Sequence, residues 1–186
     1  MKILEFSVIS VFCSAMAMTA YAQNEQRQYD RAIEKLNQAV TKTERFYALG
    51  DAAKAAYNVG NMDQARYLTE ELQRMMAEYS DDWNYGNAVH DVHVVLGRLA
   101  ISEGRIEAAK AHLLEAGKSP GSPQLKTFGP NMSLARDLLQ NGEKEVVLKY
   151  FKLCAKFWSK KSSKLPKWTQ EVQEGLIPDF GANLTY

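Results

Sequence analysis

The chain has 186 residues, 46% of them hydrophobic and 24% charged, with 11 Gly and 5 Pro, a composition that excludes collagenous, low-complexity and polytopic membrane proteins. A formal charge of +1 creates no global field to gather nucleic acid or an anionic membrane, so any electrostatic recognition has to be local. Two cysteines, Cys13 and Cys154, cannot build a disulfide frame, and stability must come from a packed core.

At the amino end, Phe6 to Ala22 is uncharged and mostly apolar, follows Lys2 and closes on Ala20-Tyr21-Ala22, small residues at the two positions a signal peptidase reads. This predicts a signal peptide over 1–22, cleavage before Gln23, and a periplasmic or secreted domain over 23–186. An uncleaved anchor is the competing reading, but the apolar run is shorter than the about 20 residues of a membrane span. Cys13 follows Ser10, Val11 and Phe12, a poor context for lipid attachment. Once the leader is removed Cys154 stands alone, and no intramolecular disulfide can form.

Beyond the leader the periodicity is helical. Tyr29, Ala32, Ile33, Leu36, Ala39, Val40 and Thr43 recur at intervals of three and four, the stripe of an amphipathic helix. Similar stripes follow and break at Gly60, Gly104 and Gly142, each glycine being succeeded at once by another helical stretch. The hairpins so defined share a template. Ahead of the glycines stand Ala52-Ala53 with Ala56, Leu96-Gly97 with Ala100, and Leu134-Ala135 with Leu138. Behind them, at matching offsets, stand Ala65, Thr69 and Leu72, then Ala109, Leu113 and Ala116, then Val147, Phe151 and Cys154.

This pattern resembles the tetratricopeptide repeat, a helix-turn-helix unit of about 34 residues. The fullest match runs from Leu96 to Ala116 and is followed by Pro120, and the resemblance spans roughly 46–158. It implies an all-α, tetratricopeptide-like α-solenoid of about three helical hairpins, placed at about 44–79, 87–117 and 131–158. A half repeat over Glu25 to Lys42 would cap the amino end. A carboxyl-terminal cap over 163–186 would follow the basic linker Ser159 to Lys164, with Leu165, Trp168 and Val172 on a short helix ended by Gly175. Caps are needed because a terminal repeat otherwise leaves its apolar face in water. The sequence departs from the family in lacking its early Trp, in placing Thr69 where a bulky aromatic belongs, and in carrying an insert around Ser80 to Gly86.

Several strings mimic chemistry. Gly117-Lys118-Ser119-Pro120-Gly121 fits the G-x-S-x-G of a hydrolase, but it follows a helix instead of a strand, and Pro120 lacks the N–H an oxyanion would need. The same string fails as a phosphate loop, and both readings give way to a helix-ending turn. His90 and His93 share a helix face, and His112 is the remaining histidine; with no converging ligand set, packing is the expectation, with no metal and no cofactor. His93 occupies the column where the family places its Trp. Asn131-Met132-Ser133 and Asn183-Leu184-Thr185 would be glycan acceptors in a eukaryotic secretory pathway. Leu176 to Tyr186 is too apolar for a solvated tail and too rich in Gly and Pro for a helix, so it should lie across the repeats and bury Phe180 and Leu184.

The resemblance also implies that the first helix of each hairpin lines a concave groove. One groove-facing column then holds Lys54, Arg98 and Arg136, with Tyr57, Ile101 and Leu139 three residues on. This reads as a cationic ladder beside an apolar rail, suited to an extended or helical peptide presenting a carboxylate. The family's carboxylate-binding version adds asparagines, and the column shows none beside Lys54 or Arg98. The expected function is an exported, non-enzymatic interaction module for a protein or peptide partner. The alternatives are a small-ligand or lipid binder of the cell envelope and, third, an enzyme.

Overall fold

A computed structural model describes residues 3–158 and 164–185, with side chains from Thr19 onward. The described residues are helical with no strand: α1 (Ile3–Gln38), α2 (Lys42–Asn58), α3 (Met62–Met75), α4 (Tyr85–Ser102), α5 (Ile106–Gly117), α6 (Pro123–Thr127), α7 (Ser133–Gln140), α8 (Lys144–Cys154) and α9 (Lys164–Gln173). Lys2 and Ser159 to Ser163 of the basic linker lie outside the described residues, as do the side chains of the apolar run ahead of Thr19, Cys13 included. The backbone of α1 runs unbroken past Ala22 and Gln23. No helix among the described residues is long and apolar enough to cross a membrane.

Local chemistry sets the helix ends. At the start of α2 the Thr41 side chain accepts from the Glu44 N–H at 3.1 Å, and the Glu44 carboxylate accepts from the Thr41 N–H at 2.9 Å, a reciprocal capping box. Helix α6 begins with Ser122 as cap and Pro123 in its first turn, where the missing N–H is no loss. The repeated glycines close their helices in one way. Gly60, Gly104 and Gly142 have φ of 81°, 73° and 81°, and the residue after each donates five positions back: Asn61 to Ala56 at 2.9 Å, Arg105 to Ala100 at 2.8 Å, Glu143 to Leu138 at 2.9 Å. These turns pair the carbonyls a helix terminus leaves open, and a side chain at such φ would be strained.

Helix α2 packs on α3 and α4; α4 packs on α5 and α7; α5 packs on α7 and α8, and α8 on α9. Small residues make the approach close, since Ala52, Ala56, Ala65, Ala100, Ala109 and Ala116 are all fully buried. Two apolar clusters result, one around Phe46, Leu49 and Leu72, the other around Leu113, Leu138 and Phe151. They meet in α4, which gives Val92, Val95 and Leu99 to the first and Val94 and Ala100 to the second. Thr69, in its aromatic's column, is fully buried and donates its hydroxyl to the Ala65 carbonyl at 2.6 Å, which removes the cost of a buried polar group.

Between α5 and α7 the chain folds back against the start of α4. Ser119 donates to the Gly86 carbonyl at 2.7 Å, and a Cβ on Gly86 would run into the Gly121 carbonyl oxygen. The carboxyl-terminal strap covers the far side. Asn183 is fully buried, its carbonyl accepts from Met132 N–H at 2.7 Å, and its amide donates to the Phe128 and Pro130 carbonyls at 3.1 and 3.0 Å. Phe180 is buried edge-on to Trp168, with ring centroids 4.9 Å apart. Leu184 is half-buried, whereas Leu176 and Ile177 stay exposed, so the strap anchors through Phe180 and an amide more than through the expected pair of apolar side chains.

Two stability outcomes follow from these contacts. Phe180→Ala should cost about 3–5 kcal/mol through lost burial and a residual cavity. Gly86→Ala should cost about 1–3 kcal/mol or more, because the obstacle is backbone. Urea denaturation of each variant reads both.

Candidate functional site

The three cations do stand on α2, α4 and α7, but each has a carboxylate. Lys54 Nζ lies 3.1 Å from Asp91 Oδ2 and 3.3 Å from Asp51 Oδ1, with 15% and 14% of the Lys54 and Asp91 side chains exposed. Arg98 Nε donates to Asp137 at 2.7 Å, Nη1 donates to Asn58 Oδ1 at 2.8 Å, and the guanidinium lies 4.1 Å above the Tyr57 ring. Tyr57 in turn donates its hydroxyl to the Arg98 carbonyl at 3.2 Å. Arg136 reaches Asp137 at 3.2 Å. Ile101 and Leu139 are half-buried against the second core. The repeat column therefore finds the cations but misses their acids. Asp51, Asp91 and Asp137 occupy no common column, and Asn58 beside Arg98 escapes it for the same reason.

Charge controls this cluster. Burial disfavours the Lys54 ammonium, but the Asp91 and Asp51 carboxylates outweigh it and hold Lys54 above the ordinary lysine range. Burial likewise pushes the Asp91 carboxyl up, and Lys54 and His90 more than offset it, leaving Asp91 below its usual value. Gly50 makes room for this arrangement, since a Cβ there would strike the Asp91 carboxylate.

From Asp91 the polar network enters the core. His90 is 1% exposed; its Nδ1 lies 3.5 Å from Asp91 Oδ1 and its Nε2 lies 3.0 Å from the Tyr150 hydroxyl. Tyr150 donates to the Asn131 carbonyl at 3.2 Å, so the proton between ring and hydroxyl sits on His90 Nε2. The chain Lys54, Asp91, His90, Tyr150, Asn131 thus links α2, α4 and α8 to the segment before α7. All of its members except the fully buried Tyr150 line an open groove of about 930 Å³, together with Arg31 and Lys35 of α1 and with Asn87, Gln124 and Phe128.

The remaining strings resolve into structure. Ser119 is buried, donates to Gly86 and accepts the Gly121 N–H at 3.1 Å, so its hydroxyl closes a turn. His93 Nδ1 meets His112 Nδ1 at 3.0 Å between α4 and α5. Burial, then the neighbouring His112, lowers His93 to about 4, and burial lowers His112 as well. No group of three or more metal-ligating side chains occurs among the described residues. Cys154 is buried and its thiol is pushed up by burial, the opposite of an activated thiolate. Asn131 and Asn183 are both buried, so neither acceptor sequence is open to a glycan in the folded chain. No protein-family model, curated protein or solved structure matches this chain.

Two outcomes test the network. Asp91→Ala leaves the buried Lys54 only the more exposed Asp51 and should cost about 2–4 kcal/mol, somewhat less than breaking an isolated buried pair. The histidine pair gives an acid dependence. The folded chain keeps His93 neutral down to about 4 while the ordinary value is 6.5, so the unfolded chain takes up the proton first as pH falls. Its stabilising contribution is complete above pH 6.5 and declines down to about pH 4. Melting temperatures measured across that window should drop, and the His93→Leu/His112→Leu double variant should flatten the drop.

Proposed function

We propose that this chain is an exported, tetratricopeptide-like interaction module without catalytic activity, and that it binds a protein or peptide partner through the face of Tyr57, Arg98 and Arg136. One observation carries this reading. Arg98 and Arg136 both bond to Asp137, and no other ion pair reaches either guanidinium among the described residues. Lys54 differs, because two carboxylates surround it; its part in the ladder is to hold α2 against α4. An anionic partner group meeting Arg136, whose side chain is 30% exposed, would add a charge-assisted bond worth about 1.5–3 kcal/mol when desolvated. The signal-like segment over 1–22 supports export, and the glycine-spaced hairpins with their adjacent first helices support the solenoid reading.

The absence of enzymatic activity is supported by how the polar groups are used: Ser119 in a turn, both His90 nitrogens toward neighbours, Cys154 buried. A small-ligand binder of the envelope is the second reading, favoured by the groove of about 930 Å³, and it would reveal itself as a ligand that copurifies and is seen by native mass spectrometry.

The test is capture of partners by the tagged full-length chain from an export-competent host, compared with Arg136→Glu. Binding should fall at least about tenfold, lose part of its salt dependence, and leave the melting temperature unchanged. Arg98→Glu is a poorer probe, because it faces Asp137 and unstacks Tyr57. Partners retained equally by Arg136→Glu would overturn the assignment of this face.

A further inference from the structure

His93 of α4 and His112 of α5 face each other through their Nδ1 atoms at 3.0 Å, with ring centroids 5.3 Å apart and the planes inclined by 35°. Neither is among the residues that line the groove. Helix packing fixes their approach. Gly97 follows His93 by one turn of α4, and a Cβ built on it would stand 3.2 Å from His112 Cβ, so the missing side chain lets α5 bring its histidine in. Both rings are half-buried. Bonds made there are partly desolvated, and an ion can still reach them from water.

The contact between the rings holds a single proton. A neutral imidazole carries one N–H, so one Nδ1 donates and the other accepts. Neither Nε2 atom makes a hydrogen bond among the described residues, and neither is sealed from solvent. The donor ring can therefore move its proton through water from Nδ1 to Nε2, which leaves two lone pairs facing one gap. Each ring still carries one proton after that shift, so a cation enters with no net proton released or taken up. Burial, to which His112 adds in the case of His93, keeps both rings below the ordinary histidine range, and at pH 7 no proton competes for the lone pairs.

The separation of the nitrogens selects the coordination geometry. With metal–nitrogen bonds of about 2.0–2.1 Å, nitrogens 3.0 Å apart subtend about 90–100° at the ion. A tetrahedral centre would spread them to about 3.3–3.4 Å. The observed bite is that of neighbouring positions in a square-planar or octahedral sphere, which Cu²⁺ and Ni²⁺ favour with nitrogen and oxygen ligands. Water takes the other positions, since no third metal-ligating side chain joins the pair among the described residues. Charge near the rings is balanced toward accepting a cation. Glu115, one turn on from His112, acts electrostatically on both rings and is held by Lys118 at 2.6 Å, and Arg105, which acts on His112, is engaged by Glu103 at 2.8 Å.

We propose that His93 and His112 form a chelating site for a divalent late transition-metal ion, Cu²⁺ or Ni²⁺, bound in cis by the two Nδ1 atoms with water completing its sphere. The site revises the expectation of packing alone. The two histidines lie 19 residues apart with no ligand spacing between them, and only the docking of α5 on α4 makes them a pair. It shares no residue with the arginine face or the groove, so it stands or falls without them.

The probe is the bare ion, added at pH 7 to the untagged full-length chain in a non-coordinating buffer. Ni²⁺ is followed by calorimetry and Cu²⁺, at one equivalent, by electron paramagnetic resonance. One ion per chain should bind, and the Cu²⁺ spectrum should show two coordinated nitrogens. His93→Gln and His112→Gln each leave an amide to bond the remaining ring; each should weaken Ni²⁺ at least tenfold and remove a nitrogen from the Cu²⁺ spectrum, with helical content by circular dichroism unchanged. His90 cannot substitute, being 1% exposed and bonded to Tyr150. Ni²⁺ binding undiminished in both variants would mean an adventitious ion only and would overturn the site. So would the lack of saturable Ni²⁺ binding to the wild-type chain, or a wild-type Cu²⁺ spectrum with fewer than two nitrogens. Should a glutamine variant not fold, the wild-type nitrogen count decides the matter by itself.

Discussion

Helix α4 is buried against two cores at once, and each of the side chains described above depends on it. Val92, Val95 and Leu99 enter one cluster and Val94 and Ala100 the other, which leaves α4 no freedom to rotate without exposing one set or overpacking the other. The fixed rotation aims Asp91 at Lys54, His90 at Tyr150 and Arg98 at Asp137. Gly97, whose Cβ would strike Leu134, and Gly50, whose Cβ would strike Asp91, let α7 and α2 come close enough for those bonds to form.

The polar network adds selectivity of register more than net stability. Moving charged groups out of water costs several kcal/mol per ion, and a well-packed apolar replacement of a buried pair is often no worse. A hairpin docked one turn out of place would leave Lys54 or Asp91 buried without its partner, a far larger penalty. The cation–acid contacts from α2 to α4 and from α4 to α7 therefore penalise misdocked hairpins in a chain whose apolar faces, rich in alanine, would otherwise tolerate sliding.

The regular hairpins are interrupted at one end of the groove. The insert, α6 and the strap through Asn183 are stitched together by hydrogen bonds from Ser119, Ser122, Asn87 and Asn183, because loop backbone brought into contact with a core must pair its polar groups there. This end places the half-exposed Trp83 and Phe128 beside the groove. The regular part of the chain supplies the arginine face by a different route, through two guanidinium groups that share one carboxylate.

Much of the helical layout was legible in the residues. Helix stops at Gly60, Gly104 and Gly142 are dictated locally, since a residue at φ near 80° is best a glycine, and the alanine-rich stripes announced which faces are buried. The Ser122-Pro123 cap that begins α6 was present too, but the turn reading of the preceding string absorbed it. The partners of Lys54 and Arg98 were beyond reach of any local pattern, because Asp91 and Asp137 come from the next hairpin and outside the shared column. So was the burial of Asn131 and Asn183. Periodicity and turn chemistry act within a few residues and can be read in one dimension. Which acid neutralises which base is decided only when helices distant in sequence are docked at a fixed rotation.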